Sequence, residues 1–300
     1  MMRLPLLALF VLILAGCGQK TEDKPLQYSD MPAGNSAAIY RLAIPPLHTP
    51  EKLGRLYQPL IDHLNQTLPG LQLELETSRD FAHYEQKFRD RQPALLLLNP
   101  WQALQAMKVG YHVIAMAGDA EDFKGIFIVR KDGGIRQPAD LKGKVVSYPS
   151  PTALAAAIMP QYFLHAHGID VNRDIENRYV GAHESSIMNV YLRSSAVAAT
   201  WPPPWRLFQK ERPAEAAQLK VVWETPPLMN NAVMVRDDVP AVLRDRLKQT
   251  LLELAQAPAG VAMLARMETA RFHDANDASY DRVRDYIARF EKEVRPVEKP

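Results

Sequence analysis

Short apolar runs and helical repeats take turns along this chain, and that alternation constrains its fold more than any other feature. Residues 39–44 read as a strand. Thr49 then caps a helix with Pro50 in its first turn, and Leu53, Leu56, Tyr57, Leu60, Ile61, Leu64 and Leu68 recur on one face of it. Pro59 interrupts that helix and predicts a kink. Residues 71–75 alternate with period two, and a polar helix is expected at 81–91. Residues 94–98 form the continuous apolar run of a parallel strand covered on both faces. Residues 112–117 and 126–130 read as further strands. A second series begins at 144–147. A helix over 153–167 follows, closed by Gly168, then a strand at 177–180, a helix at 185–192 and a strand at 197–200. Two more strands, 219–223 and 232–236, precede helices over 241–255, 259–267 and 280–294. Such alternation predicts an α/β fold with mainly parallel sheets flanked by helices. Its two series predict two lobes. The crossings fall near Arg130–Gly134 and Met229–Val235, and the C-terminal helices return to the first lobe. That lobe then holds residues 37–131 and 233–300, the second holds 132–232, and the ligand cleft lies between them.

Ahead of the first strand the chain has a different character. Met1, Met2 and Arg3 give a short positive start, residues 4–15 are nearly all apolar, and Leu14-Ala15-Gly16-Cys17 follows. The run falls short of the roughly 20 apolar residues a spanning helix needs and has the layout of a signal peptide over residues 1–16. Small residues before a cysteine resemble the lipobox of bacterial lipoproteins, which implies cleavage before Cys17 and acylation there. Cys17 is the only cysteine, so lipidation leaves no thiol for a disulfide. Residues 17–36 are polar and turn-rich, a tether between lipid anchor and domain. The expected location is the periplasmic side of the envelope, at the inner or the outer membrane.

Several chemistries are missing from the pattern. The 36 basic and 34 acidic residues are interspersed, with no basic run interleaved with aromatics, so nucleic acid is not an expected partner. No phosphate-cradling glycine motif, no HExxH and no GxSxG elbow is present. The eight histidines are scattered, and His165 and His167 lie on different faces of one helix, so no metal site is read. No catalytic residue and no cofactor is assigned, and a monomer that is not an enzyme is expected.

Five segments together resemble the phosphonate-binding branch of periplasmic solute-binding proteins, over about residues 40–291. They are Tyr57-Gln58-Pro59-Leu60-Ile61-Asp62-His63-Leu64, Leu98-Asn99-Pro100-Trp101, Asp140-Leu141-Lys142-Gly143-Lys144-Val145-Val146, Gly181-Ala182-His183-Glu184-Ser185-Ser186-Ile187, and Trp223-Glu224-Thr225-Pro226-Pro227. The resemblance implies a two-lobed, type II-like periplasmic-binding-protein fold and the capture of a small oxyanion, phosphonate- or phosphate-like, for the permease subunits of an ABC importer. A sensor or accessory binding lipoprotein using the same cleft is the alternative. An enzyme of the related thiamin-pyrimidine synthase type lacks support, because its cysteine-rich motif is absent. The chain also departs from the family. A Ser-Thr-Ser-Gly run aligns with Ala153-Leu154-Ala155-Ala156, and acids that hold a ligand ammonium align near Pro204 and Asn231. An aminophosphonate is therefore a poor fit.

Three strand-to-helix turns are expected to converge on the cleft: Asn99-Pro100-Trp101, Ser150-Pro151-Thr152 and His183-Glu184-Ser185-Ser186. Free amides at helix starts hold an oxyanion without a buried lysine. The expected ligand-binding residues are His183, Ser185, Ser186, Ser150, Thr152, Asn99, Trp101, Tyr84, Trp201 and Asn231. His183 is expected to bind anions better when protonated, and Ser150, Thr152 and Ser185 are equally the residues of ordinary helix caps. Thr200-Trp201-Pro202-Pro203-Pro204-Trp205 reads as a rigid segment, either a loop holding the lobe wall or a preformed aromatic lip.

Overall fold

The computed structural model describes residues 38–298. The expected signal peptide, Cys17 and the tether lie outside these residues. From Ala37 onward the chain forms one compact unit, built as two lobes around two sheets.

The first sheet begins with β1 (Ile39–Ala43), β2 (Gln72–Glu76), β3 (Leu95–Leu98) and β4 (Tyr111–Ala117). The chain then crosses to the second sheet: β5 (Ile126–Arg130), β6 (Val145–Tyr148), β7 (Glu176–Tyr179), β8 (Val197–Thr200) and β9 (Leu219–Glu224). It returns for β10 (Asn231–Arg236) and β11 (Phe272–Asp274). The strand orders are β11-β4-β10-β3-β1-β2 and β7-β6-β8-β5-β9. Because β5 belongs to the second sheet, the first crossing lies between β4 and β5, upstream of the expected boundary after residue 131.

Both sheets are mixed, which corrects the expectation of mainly parallel ones. Pairs β1–β2, β1–β3, β6–β7 and β6–β8 are parallel. The returning β10 inserts antiparallel between β3 and β4, β11 pairs antiparallel with β4, and β5 runs antiparallel to β8 and β9. The crossing strands enter each sheet from the other lobe, and so against the direction of its βαβ strands.

Helices α1 (Pro50–Thr67), α2 (Phe81–Arg89) and α3 (Pro100–Met107) follow the first three strands. Thr49 caps α1, accepting from the Lys52 amide, and the helix runs unbroken through Pro59. Its apolar face, Leu53, Tyr57, Leu60, Ile61 and Leu64, is buried in one core with Leu42, Leu73 and Val233. In the second lobe a π-helical stretch, Leu154–Ile158, leads into α4 (Met159–Ala166). Pro160 explains the widening: it has no amide proton to give Ala156, and the Ile158 amide reaches back five residues to the Ala153 carbonyl, at 3.3 Å. Gly125 lets this stretch approach β5, since a Cβ there would stand 2.7 Å from the Ala155 carbonyl oxygen. Helix α5 (His183–Tyr191) follows β7, and α6 (Pro202–Glu211) and α7 (Pro213–Ala216) follow β8. The Trp-Pro-Pro-Pro-Trp segment is thus no loop. Its prolines fill the first turn of α6, where no amide needs an intrahelical partner. Finally α8 (Ala241–Glu253), α9 (Pro258–Arg266) and α10 (Asp281–Glu293) return to the first lobe, where α10 buries Val283, Ile287 and Phe290. Among the described residues no helix is long and apolar enough to cross a membrane.

Candidate functional site

Parallel strands β1, β3, β6 and β8 point their carboxyl ends at the seam between the lobes, the usual place for a ligand in open α/β sheets. A cavity of about 30 Å³ lies there. The first lobe lines it with Pro45 and Leu47 after β1, Phe81 at the start of α2, Asn99 after β3 and Asn231 at the head of β10. From the other side come Phe123 on the crossing, Ala153–Ala156 at the π-helical start, His183 at the head of α5 and Trp201 after β8. The lining is largely apolar. Its polar side chains are Asn99, His183 and Asn231, and no charged side chain reaches it.

Asn99 is held by a capping box. Its Oδ1 accepts the Gln102 amide at 3.1 Å, and the Gln102 side chain accepts the Asn99 amide at 3.3 Å. Its Nδ2 donates across the seam to the Thr152 carbonyl at 3.2 Å. His183 is buried, with Nδ1 2.8 Å from the Thr200 hydroxyl. Burial, aided by nearby His48, pulls its pKa down to about 3. Burial therefore favours the neutral ring. Trp201 is wedged edge-on against Phe123, with ring centroids 5.5 Å apart.

Three of the expected turns do converge, but through different atoms. Ser150 and Thr152 are buried, with hydroxyl oxygens 3.0 Å apart, and neither lines the cavity. Thr152 instead donates to the Glu85 carboxylate of α2, at 2.6 Å, and Gln102 Nε2 donates to the same oxygen at 3.1 Å. Burial raises the Glu85 pKa, while the bonds from Thr152 and Gln102 and the charge of Arg89 pull it back. Ser185 is exposed on α5, whose cap position is Ala182. Ser186 is fully buried, and its hydroxyl has no partner. Trp101 and Tyr84 pack in the core away from the cavity, Tyr84 donating to the Leu97 carbonyl at 2.5 Å. Sequence reasoning missed Pro45, Leu47, Phe81 and Phe123, which read as ordinary core residues. It also missed Glu85, although helical spacing puts that carboxylate on one face with Phe81 and Phe88.

Comparison with known proteins follows the same lines. The family model for the phosphonate periplasmic substrate-binding protein of ABC transporters matches residues 42–280. A probable ABC transporter phosphite binding protein, PhnD1 of Prochlorococcus marinus (strain MIT 9301), is 22% identical over 135 residues, 42% of this chain. The match covers 46% of that relative, so the chain spans about half the length of the curated relative it matches. The fold is similar to a binding protein component of an ABC phosphonate transporter from Pseudomonas aeruginosa (TM-score 0.78, 17% identity, 85% of this chain and 87% of that one). It is equally similar to the structure of PhnD1 in complex with methylphosphonate (TM-score 0.77, 18% identity, 85% and 99%).

Proposed function

The chain belongs to the family of phosphonate periplasmic substrate-binding proteins of ABC transporters, and on that premise we propose that it captures a small phosphonate-like oxyanion between its lobes and presents it to a permease. The observation that carries this reading is the interlobe cavity itself, where uncharged hydrogen-bond donors from both lobes surround a space lined otherwise by apolar groups. Asn99 and Asn231 offer side-chain amides from the first lobe. From the second, the amides of Leu154, Ala155 and Ala156 open a helical stretch, where donors are free and the local field favours an anion. In the tautomer whose Nδ1 accepts the Thr200 hydroxyl, the neutral His183 ring carries its proton on Nε2, where it can be offered to the ligand. A ligand touching both lobes favours the arrangement in which they meet, and so shifts the population toward it.

In this reading the solute is bound and released unchanged, with no catalytic step. The signal layout and lipobox resemblance support a protein acylated at Cys17, held on the periplasmic side of the envelope by its acyl chains. The test is thermal unfolding of the chain from Ala37 onward with methylphosphonate, phosphite, phosphate and sulfonates. At about 100 times its dissociation constant a cognate anion adds roughly 2.7 kcal/mol, and the gain shrinks in His183→Ala. A flat response to every phosphorus oxyanion sinks the reading.

A further inference from the structure

Among the described residues three charged side chains are buried: Lys52, Glu85 and Arg295. Two of them have a partner of opposite charge. Lys52 pairs with Glu211, and Arg89 lies 3.8 Å from Glu85. Arg295, just past the end of α10, has none among those residues, and its guanidinium meets neutral oxygens. Nε donates to the Gln161 side chain at 2.8 Å, Nη1 to the Pro296 and Val297 carbonyls at 2.9 and 3.2 Å, and Nη2 to the Pro151 carbonyl at 3.0 Å. Gln161 is itself fixed, its Nε2 donating to Asn177 and to the Tyr179 hydroxyl, each at 3.1 Å. The guanidinium carbon also stands 5.3 Å from the Phe290 ring centre. The charge is thus firmly placed, yet neutral donors could serve the same acceptors. An unpaired buried charge is costly, and an opposite charge brought near it offsets that cost. Pro151 leads directly to the ligand site. Two residues on, Ala153 lines the interlobe cavity and caps the π-helical stretch. Asn99, from the other lobe, holds the same turn at the Thr152 carbonyl. Since no charged side chain lines the cavity, an anion there has no counter-charge in contact with it.

We propose that Arg295 is a positioning and specificity-determining residue for the anion: it fixes the turn at Pro151 and supplies, from behind the cavity wall, the positive charge that selects a doubly charged tetrahedral anion over a singly charged one. The ligand in turn supplies the negative charge that Arg295 lacks. Bound ligand and guanidinium do not touch, so the attraction acts through the turn between them and depends on the ligand's charge more than on its shape. The inference rests on the oxyanion reading above.

The test is titration calorimetry on the chain from Ala37 onward with methylphosphonate and methanesulfonate in mildly alkaline buffer. The two are alike in size and shape, and there the first carries two negative charges and the second one. The native chain prefers methylphosphonate by about tenfold, the scale of one further charge attracted to a cation through protein of effective dielectric about 20. Arg295→Gln keeps a hydrogen-bond donor and Arg295→Met keeps the bulk, but both remove the charge. In each, methylphosphonate loses about tenfold more affinity than methanesulfonate, and the preference falls to near unity. A residue that only held the turn would weaken both probes alike and leave the preference intact. That result, or equal affinities in the native chain, overturns the charge-selecting role and leaves the phosphonate reading standing. The native comparison needs no variant and can overturn the role alone. Failure of both probes to bind the native chain overturns the phosphonate reading and takes the role of Arg295 with it.

Discussion

The two lobes meet along two unlike seams. On one, the contacts are buried or part-buried and mostly between single oxygen and nitrogen atoms: Thr152 to Glu85, Asn99 to the Thr152 carbonyl, and Arg295 to Gln161 and the Pro151 carbonyl at 2.8 and 3.0 Å. On the other, α6 is tied to the first lobe by partly exposed ion pairs: Glu211 to Lys52, and Arg206 and Lys210 to Glu268. The cavity lies between these seams. Ions at an exposed seam exchange partners with water cheaply. Polar atoms at a buried seam lose their only partner when the lobes part. The buried seam therefore sets the register in which the lobes close, and the ion pairs add a softer hold that yields to solvent.

The largest effect expected from this contrast is at Thr152. Replacing it by Val keeps the shape and removes the hydroxyl that Glu85 needs. Hydrogen bonds to a charged group are worth about 1.5–3 kcal/mol, and Thr152→Val should lower unfolding stability by about 2 kcal/mol in denaturant titration. A loss no greater than at an exposed ion pair would erase the distinction between the seams.

Acid sharpens the comparison next. His183 has a pKa of about 3 in the folded chain against an ordinary 6.5. The folded state thus binds a proton less readily than the unfolded one. Stability from this group is full above the ordinary value and drains away as pH falls from there toward 3. Linkage gives a loss of about 2 kcal/mol between pH 7 and pH 5. His183→Phe should remove that share of the slope and leave the share from His48, whose pKa burial also pulls down, to about 4; an unchanged slope would show that the His183 ring is not buried neutral.

The seams also show what was legible in the sequence. Period-two and 3.6-residue patterns located β2 and α1 because each needs only its own residues to declare a buried face. The place of β10 between β3 and β4 depends on residues more than a hundred positions away, and no local pattern carries it. The prolines of α6 hid a helix start because the same residues suit a rigid loop. At the site, Asn99 and His183 stood out at strand-to-helix turns, Trp201 as an aromatic in a rigid segment and Asn231 through the family resemblance, and all four line the cavity. Ser150 and Thr152 stood out for the same reason, yet their hydroxyls serve the buried seam. Glu85, the partner of Thr152, lies on the other lobe, and only the fold reveals that pairing.

The smallest effect belongs to the ion pairs. The Lys210 side chain is 63% exposed and Arg206 38%, although Glu268 between them is only 9% exposed. Such pairs are worth about 0–1 kcal/mol, and salt screens them over a Debye length of about 8 Å at physiological ionic strength. Lys210→Ala should therefore cost well under 1 kcal/mol, and raising the salt to 1 M should shrink that cost further. Thr152→Val should keep its full cost in the same salt, because a buried hydroxyl-to-carboxylate bond is barely screened. If the two losses fell together as salt rose, the seam at Glu85 would be open to solvent. Its raised carboxylate pKa would then lose its physical cause.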